Sequence, residues 1–487
     1  MKQFCMGVFG WLALAMIGAG ATPNFNKDIA PILYSNCSTC HRPGEVAPFP
    51  LLTYQDAAKR ASLIAGAVAG RFMPPWKAEP GFGDFAGARR LTDEQIALIQ
   101  DWAKAGAPEG DGAKPEPPKF TDGWQGGEPD EVLTVPMKYS LAADEPDQYR
   151  CIVLPTGLDH DVYVDGIEFR PGNRRIVHHA LVFLDASGTA KKLAAASPDG
   201  SYPCFGGPGF PAAGLIGGWA PGFTPPERNP AYSLPIRKDM DVVVQIHYHP
   251  SGKPEQDQSS LGLAFSGPPT EGRTSILVFD HHLDIPAGDS QYVAKASLTL
   301  PRDVQLAGIT PHAHYLCKDM KITAALPDGS TKPLIWIKDW DFNWQNAYRY
   351  RTPLDLPKGT RIDMVYTFDN SANNPHNPVN PPVRVYWGEE TKDEMALAFL
   401  TVLLPRDDIP QLRRDVGRQY VDQFLSQVQT LRDLPYEMLS PDAADRLTKV
   451  FKSFDRNGDG TLDDNERAAM LTFVHTLEAR REQKSNQ

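Results

Sequence analysis

Between about residues 121 and 408 the chain alternates short apolar runs with Gly, Pro, Asn and Asp. Asp241–Tyr248, Tyr292–Leu300, Met320–Leu326 and Arg361–Phe368 carry the β-branched and aromatic residues of strands, bounded by turn formers. Many strands at short spacing predict sandwiches or jelly rolls. The region is too long for one sandwich, so two β domains are expected, residues 121–268 and 269–408. The flanks follow a helical period instead. Asn26–Asn36 and Thr53–Gly70 are helix-like, and Leu91–Ala107 repeats Ile96, Ile99, Trp102 and Ala103 at helical spacing. Helices are also expected over Gln411–Arg432, Asp442–Phe454 and Asn465–Arg480. The expected fold is multidomain: a small α-helical domain over 22–112, a Pro- and charge-rich linker over 113–120, two jelly-roll-like β-sandwiches, and a helical tail over 409–487.

Composition agrees with a turn-rich β protein, since Pro (45) and Gly (40) are plentiful. A net charge of -11 argues against a nucleic-acid partner, which calls for basic surface. Residues 1–21 read as a signal peptide: Lys2, about ten apolar residues, then Ala19-Gly20-Ala21 at a cleavage site. No later stretch is long and apolar enough to span a bilayer, so no membrane span is expected after cleavage. Cys5 leaves with the leader. Cys151, Cys204 and Cys317 permit three pairings, of which a Cys151–Cys204 disulfide with Cys317 unpaired is expected in an exported chain.

Cys37-Ser38-Thr39-Cys40-His41 is a C-x-x-C-H motif. Two thiols at this spacing add to the haem vinyl groups, and the next residue places an imidazole under the iron. His41 is the only histidine of residues 22–112, and Met73 the only methionine. A His/Met iron has a raised potential and suits electron transfer. Helix, haem motif, methionine loop and closing helix together resemble a class I cytochrome c. That resemblance implies one covalent haem c held by Cys37, Cys40, His41 and Met73, and points to a bacterial periplasm. A structural disulfide or a thioredoxin-like pair would not call for the trailing histidine.

The chain has 12 histidines, and most fall in pairs. His312 and His314 alternate, so on a strand they share a face. His247 and His249 do the same, and spacing does not choose between them. Adjacent His178 and His179 face opposite ways unless the strand bulges or ends there. All-nitrogen ligation suits copper or zinc, and an added thioether favours copper. His281-His282 lack a partner motif and read as structural or surface residues. His160 and His376 are unassigned, and His475 is incidental.

In the tail, Asp455–Glu466 fits the EF-hand loop position for position. Asp455, Asn457, Asp459 and Glu466 offer side-chain oxygens, Thr461 its carbonyl, and Asp463 a direct or water-mediated contact, with Gly460 at the sharp turn. One calcium ion is expected. A single loop suits a structural clamp on two helices.

The order of motifs over about residues 125–405 is an HH pair, an H-Y strand, an H-x-H, then Asp393-Glu394-Met395. It resembles the copper type II, ascorbate-dependent monooxygenases, which include peptidylglycine α-hydroxylating and dopamine β-monooxygenases. The resemblance implies two copper ions. His178, His179 and His247 would hold an electron-transfer copper in the first β domain, and His312, His314 and Met395 an oxygen-activating copper in the second. The implied partners are O2, a small organic substrate, and a periplasmic electron donor or ascorbate-like reductant. Two positions depart from the peptide-hydroxylating members: Thr310 replaces a carboxylate-gripping arginine, and Phe399 a tyrosine. The aromatic run Trp336–Tyr350 reads as packed core, with a substrate wall as the alternative. A non-catalytic electron carrier or copper-handling protein is the competing class. A zinc hydrolase is weaker, because no H-E-x-x-H accompanies the histidines.

Overall fold

The computed structural model describes residues 22–485 except 46, 121–122, 205–206, 211, 221–222, 224, 226–227, 389–391, 429 and 431–440. The expected leader, 1–21, lies outside the described residues, as does the side chain of His475. The chain divides into two compact units: residues to Pro75 with Arg89–Phe120, and Trp76–Ala88 with Thr121 onward.

The first unit is helical. After a π turn over Phe25–Ile29 come α1 (Ala30–Asn36), α2 (Tyr54–Ala58), α3 (Ala61–Ala69) and α4 (Asp93–Lys104). Capping boxes at Thr53/Asp56 and Thr92/Gln95 start α2 and α4, satisfying amides that lack helical partners. The single helix expected over Thr53–Gly70 is broken between Ala58 and Ala61. Leu33, Ile99 and Trp102 are completely buried in its core.

The second unit holds two β bodies. The first runs through β1 (Glu131–Thr134), β2 (Tyr139–Leu141), β3 (Gln148–Leu154), β4 (Val162–Arg170) and β5 (Val177–Asp185). A short helix α5 (Thr189–Ala195) precedes β6 (Ser201–Pro203), β7 (Gly214–Trp219) and β8 (Leu234–Ile236). It closes with β9 (Asp241–Tyr248), β10 (Glu255–Asp257) and β11 (Ser260–Ser266). A five-stranded sheet β6-β3-β9-β5-β7 and a four-stranded sheet β1-β11-β4-β8 share one core. The expected strand Asp241–Tyr248 is β9, buried along its whole length at the centre of the larger sheet. The Cys151–Cys204 disulfide is present and ties β3 to the residue after β6, while Cys317 is outside any disulfide and buried.

The second body comprises β12 (Gly272–Phe279), β13 (Asp284–Ile285), β14 (Tyr292–Thr299), β15 (Val304–His312) and β16 (Cys317–Ala325). It continues with β17 (Thr331–Ile337), β18 (Tyr348–Leu356), β19 (Arg361–Phe368), β20 (Val385–Tyr386) and β21 (Leu397–Leu404). Its two four-stranded sheets are β12-β21-β15-β18 and β14-β19-β16-β17. Sheet membership changes between Ser266 and Gly272.

Residues 76–88, expected inside the helical domain, pack with this second body. Ala78 bridges Ile337 and Phe85 bridges Tyr350. Ala78 and Phe85 are buried in its core, and Trp76 sets its ring edge-on to Tyr348 at 5.2 Å.

The tail consists of α6 (Ile409–Gln427), α7 (Pro441–Phe454) and α8 (Asp464–Ser485). Leu412 and Val416 of α6 enter the core of the second β body. The Tyr420 hydroxyl accepts from Leu277 N–H at 2.8 Å and donates to the Leu277 carbonyl at 2.6 Å. The far end of α6 gives Leu425 to a separate small core with Phe451, Leu462 and Met470. No described helix is long and apolar enough to cross a membrane.

The disulfide closes a loop of 53 residues in sequence separation. Replacing both cysteines by serine should lower stability by about 2–4 kcal/mol. Urea unfolding of the wild type and the Cys151→Ser/Cys204→Ser variant, each with and without reductant, measures this; reductant should affect only the wild type.

Candidate metal centres

The first centre is made by one irregularity in a ladder. In the antiparallel pair β5–β9, Val177 lies opposite Tyr248 and His179 opposite His247, with a register shift between. His178 is therefore the extra residue of a β-bulge, which lets it turn to the side that His179 occupies. The Nδ1 atoms of the three rings converge: 3.2 Å from His178 to His179, 3.1 Å from His178 to His247, and 3.4 Å from His247 to His179. A first-row metal ion bonded to three nitrogens at roughly 2.0 Å sets them about 3.3–3.5 Å apart. The cluster fits that requirement.

The chemistry of the rings agrees. His247 Nε2–H donates to the Asp147 carboxylate at 2.7 Å, which leaves the Nδ1 lone pair facing the cluster. Asp147 also receives His249 Nδ1–H at 2.8 Å. So His247 is buried in the cluster while His249 is exposed and acts through Asp147. Burial opposes ionisation of Asp147, yet the bonds from His247 and His249 hold its pKa below the ordinary range. Tyr149 stacks on His247, ring centroids 4.1 Å apart and 10° from parallel. Burial, followed by the charges of His247 and His249, lowers the His178 pKa to about 4. His179 is lowered well below its ordinary value by burial, then His247, His178 and His312. His178 and His179 are thus held in the neutral form that metal ligation requires.

That His312 acts on His179 places the second centre within electrostatic reach of the first. In the pair β15–β21, Thr310 lies opposite Phe399 and His312 opposite Leu397. Two steps further the same register would oppose His314 to Met395, on the face His312 shares. The ladder ends before that rung. His312 Nδ1–H donates to Gln345 Oε1 at 2.6 Å, and His314 Nδ1–H to the Asp393 carbonyl at 3.0 Å. Both Nε2 atoms therefore keep their lone pairs. The two rings stand 5.3 Å apart at 85°. Glu394 is completely buried, and its carboxylate accepts the backbone N–H groups of His314, Leu316 (2.8 Å) and Met395 (2.9 Å). Burial raises its pKa to about 8 against the pull of these donors. The backbones of His314 and Met395 are thus held by one carboxyl group, and two imidazoles with a thioether would suit a soft monovalent copper ion better than zinc.

The sequence alone gives Asp147 and Gln345 no role, and Glu394 only a place in the Asp393-Glu394-Met395 motif. Glu394 had a signal: it heads the core-facing row Ala396, Ala398, Leu400 and Val402, where a carboxylate is out of place. Asp147 and Gln345 had none, because both lie in loops far along the chain from the rings they bond. The run Trp336–Tyr350 divides. Trp340, Tyr348 and Tyr350 are core, while Gln345 bonds His312 and Phe342 meets the ring of His314. His281 packs its ring 3.9 Å from that of His282 and also meets Phe279 and Phe424. His160 and His376 are exposed.

In the helical unit, Cys37 ends α1, and its amide still bonds back to Leu33. Cys37 and Cys40 are not disulfide-bonded, and burial, then Cys40, pushes the Cys37 thiol up to about 12. His41 Nδ1–H donates to the Phe49 carbonyl at 3.0 Å, leaving Nε2 as a ligand atom. Met73 is half-buried beyond α3. Two unlinked thiols and an imidazole in this tautomer fit a covalent haem.

In the tail loop, Asp455 accepts from Gly458 and Gly460 N–H at 2.8 and 3.0 Å. Asn457 Oδ1 accepts from Asp459 N–H at 3.0 Å, and Asp459 from Thr461 N–H at 2.7 Å. Asp463 accepts from Glu466 N–H at 2.9 Å, and Glu466 from Arg456 and Asp463 N–H at 2.8 and 3.1 Å. Gly460 has φ +81°, the left-handed turn this position needs. The oxygens are gathered in one loop, and the set fits calcium.

No protein-family model matches the chain, and no curated protein matches it. Solved structures that align with it include the major capsid protein P2 of bacteriophage PM2, at 10% identity over 56% of this chain and 97% of that one, with a TM-score of 0.23. The VP2 subviral particle of infectious bursal disease virus aligns at 10% identity over 57% and 73%, with a TM-score of 0.17. Scores of this size establish no common fold.

Two predictions arise here. Asp147→Ala should weaken metal binding at the three-histidine centre roughly 10–100-fold, as loss of such outer bonds does elsewhere, and leave the other centre unchanged; chelator competition measures it. In the metal-free protein the unfolded chain takes up protons on histidine near pH 6.5, whereas folded His178 does so only near 4. Stability should therefore fall as pH drops through this window, and bound metal should oppose the fall. Thermal midpoints between pH 7 and 4, with and without metal, test the sign.

Proposed function

We propose that this chain is an exported, periplasmic copper-dependent monooxygenase that hydroxylates a C–H bond of a small organic substrate, with electrons reaching it through its own haem c. The observation that carries the reading is the asymmetry of the two histidine centres. One offers three Nδ1 atoms, the other two Nε2 atoms beside a methionine, and the two lie within electrostatic reach. A storage or hydrolytic site calls for no such difference. Bound copper would supply one-electron redox steps and O2 activation, and haem c the electrons from a periplasmic donor or ascorbate-like reductant, in the balance R–H + O2 + 2 electrons + 2 protons → R–OH + H2O.

The protein's own groups have distinct tasks. His178, His179 and His247 hold the first ion, with Asp147 fixing the His247 tautomer. His312, His314 and Met395 hold the second, with Gln345 and the Asp393 carbonyl setting the ring orientations. Cys37, Cys40, His41 and Met73 hold the haem. Thr310 and Phe399, cross-strand partners on the face of His312, present a hydroxyl and an aromatic ring there. That pair carries no cation to grip a carboxylate, which favours an uncharged, partly apolar substrate. Asp455, Asn457, Asp459, Thr461, Asp463 and Glu466 hold calcium and clamp α7 to α8.

The test is O2 uptake by dithionite-reduced protein carrying two coppers per chain. Wild type should consume O2, and Met395→Ala should lower uptake at least about 100-fold, the scale of losing a transition-state contact, while keeping copper at the three-histidine centre. Wild type inert towards O2 with both coppers bound would instead make the chain an electron carrier or copper-handling protein. For the tail, calcium should raise the thermal midpoint of the wild type and not of Glu466→Gln, by differential scanning fluorimetry.

A further inference from the structure

We propose that Glu394 is a positioning residue of the second centre: its buried carboxylate replaces the missing rungs of the β15–β21 ladder and holds His314 and Met395 in one coordination sphere. The inference rests on the copper reading of that centre and adds a residue to it.

The argument begins with where the ladder stops. Cross-strand pairing runs from Gln305↔Leu403 to His312↔Leu397 and no further. His314 and Met395, the two ligands beyond the last rung, have no strand pairing to fix their separation. They are 81 positions apart in the chain, and chain connectivity gives no control at that range. Glu394 spans the gap. From the Met395 side it reaches across to the amides of His314 and Leu316, and it also accepts the amide of Met395 itself. Asp393 adds a parallel link, its carbonyl accepting His314 Nδ1–H at 3.0 Å. The other end of the segment is anchored too. Glu394 N–H donates to the Tyr386 carbonyl at 3.1 Å, and Gly388 N–H donates to the Glu394 carbonyl at 3.2 Å. The carboxylate is thus a rigid strut between two segments, each of which supplies a ligand.

The choice of residue follows from the geometry. Burying a carboxylate is costly unless its oxygens are bonded, and here three backbone donors bond it. The backbone amides are the groups that act against its burial. A glutamine of the same shape would present an NH2 group to backbone donors and lose part of the set. A fully apolar residue would leave two or three buried amides unpaired. Glutamate is the one side chain of this length that accepts from both sides at once.

The experiment compares wild type, Glu394→Gln and Glu394→Asp, each loaded with Cu(I) in the full chain. Two measurements are made: Cu(I) affinity of each centre by chelator competition, and sulfur scattering in the copper X-ray absorption spectrum. Glu394→Gln should weaken the second centre roughly 10–100-fold and lose the sulfur signal, with the three-histidine centre unchanged as an internal control. Should Glu394→Gln fail to fold, Glu394→Asp carries the test, since it keeps the carboxyl group and shortens the reach by one methylene. Sulfur ligation at wild-type affinity in a folded variant overturns the proposal. So does equal weakening of both centres, which would mark general destabilisation. If wild type itself shows no sulfur at copper, the copper reading fails first, a result distinct from either.

Discussion

Both histidine centres depend on one constraint, the two-residue period of a β-strand. Side chains at successive positions point to opposite faces, so a centre built on strands can gather ligands only at alternate positions, across a rung, or at a break. This protein uses all three. His312 and His314 alternate. His179 and His247 oppose one another across a rung. His178 needs a break, and the register shift beside it is what turns an adjacent pair into two ligands of one cluster. Straighten that bulge and three convergent nitrogens become two.

The two centres stand at opposite kinds of irregularity. At the first, an extra residue is inserted inside a ladder whose remaining rungs hold the geometry firm. At the second, the ladder has ended, and side-chain bonds do the holding. The first should therefore be stiff without metal, its rings already gathered around a common point. The second has ligands on two chain segments joined by a carboxylate and a carbonyl. The copper reading proposed above assigns electron holding to the stiffer all-nitrogen site and substrate-facing chemistry to the softer one.

Local patterns were legible in the sequence, and long-range partners were not. The strands Asp241–Tyr248 and Arg361–Phe368 coincide with β9 and β19: β19 alternates buried and less buried positions, and β9 is a β-branched run buried along its whole length, both bounded by turn formers. The Cys151–Cys204 link was one of three pairings that three cysteines permit, and the structure selects it. His178 and His179 could be read as ligands only by resemblance, since spacing alone sets them on opposite faces, and a bulge has no reliable signature in one sequence. Whether His247 or His249 enters the cluster was equally closed to spacing. Both share a face, and the choice is made by Asp147, about a hundred residues earlier in the chain. Glu394 stood in the motif used for recognition, but only its place in an otherwise apolar row explains it. Residues 76–88 were assigned to the helical domain because they lie between its helices in order.

That last segment bears on how such a protein can arise. The chain passes between its two units at Pro75–Trp76, Ala88–Arg89 and Phe120–Thr121. A module appended at one end can be shuffled: cut at the linker, it leaves both parts whole. Here a cut in residues 113–120 would strip Ala78 and Phe85 from the core of the second β body. The helical unit is stitched in rather than appended. Exchanging the helical unit by recombination would mean rebuilding the core to which residues 76–88 contribute.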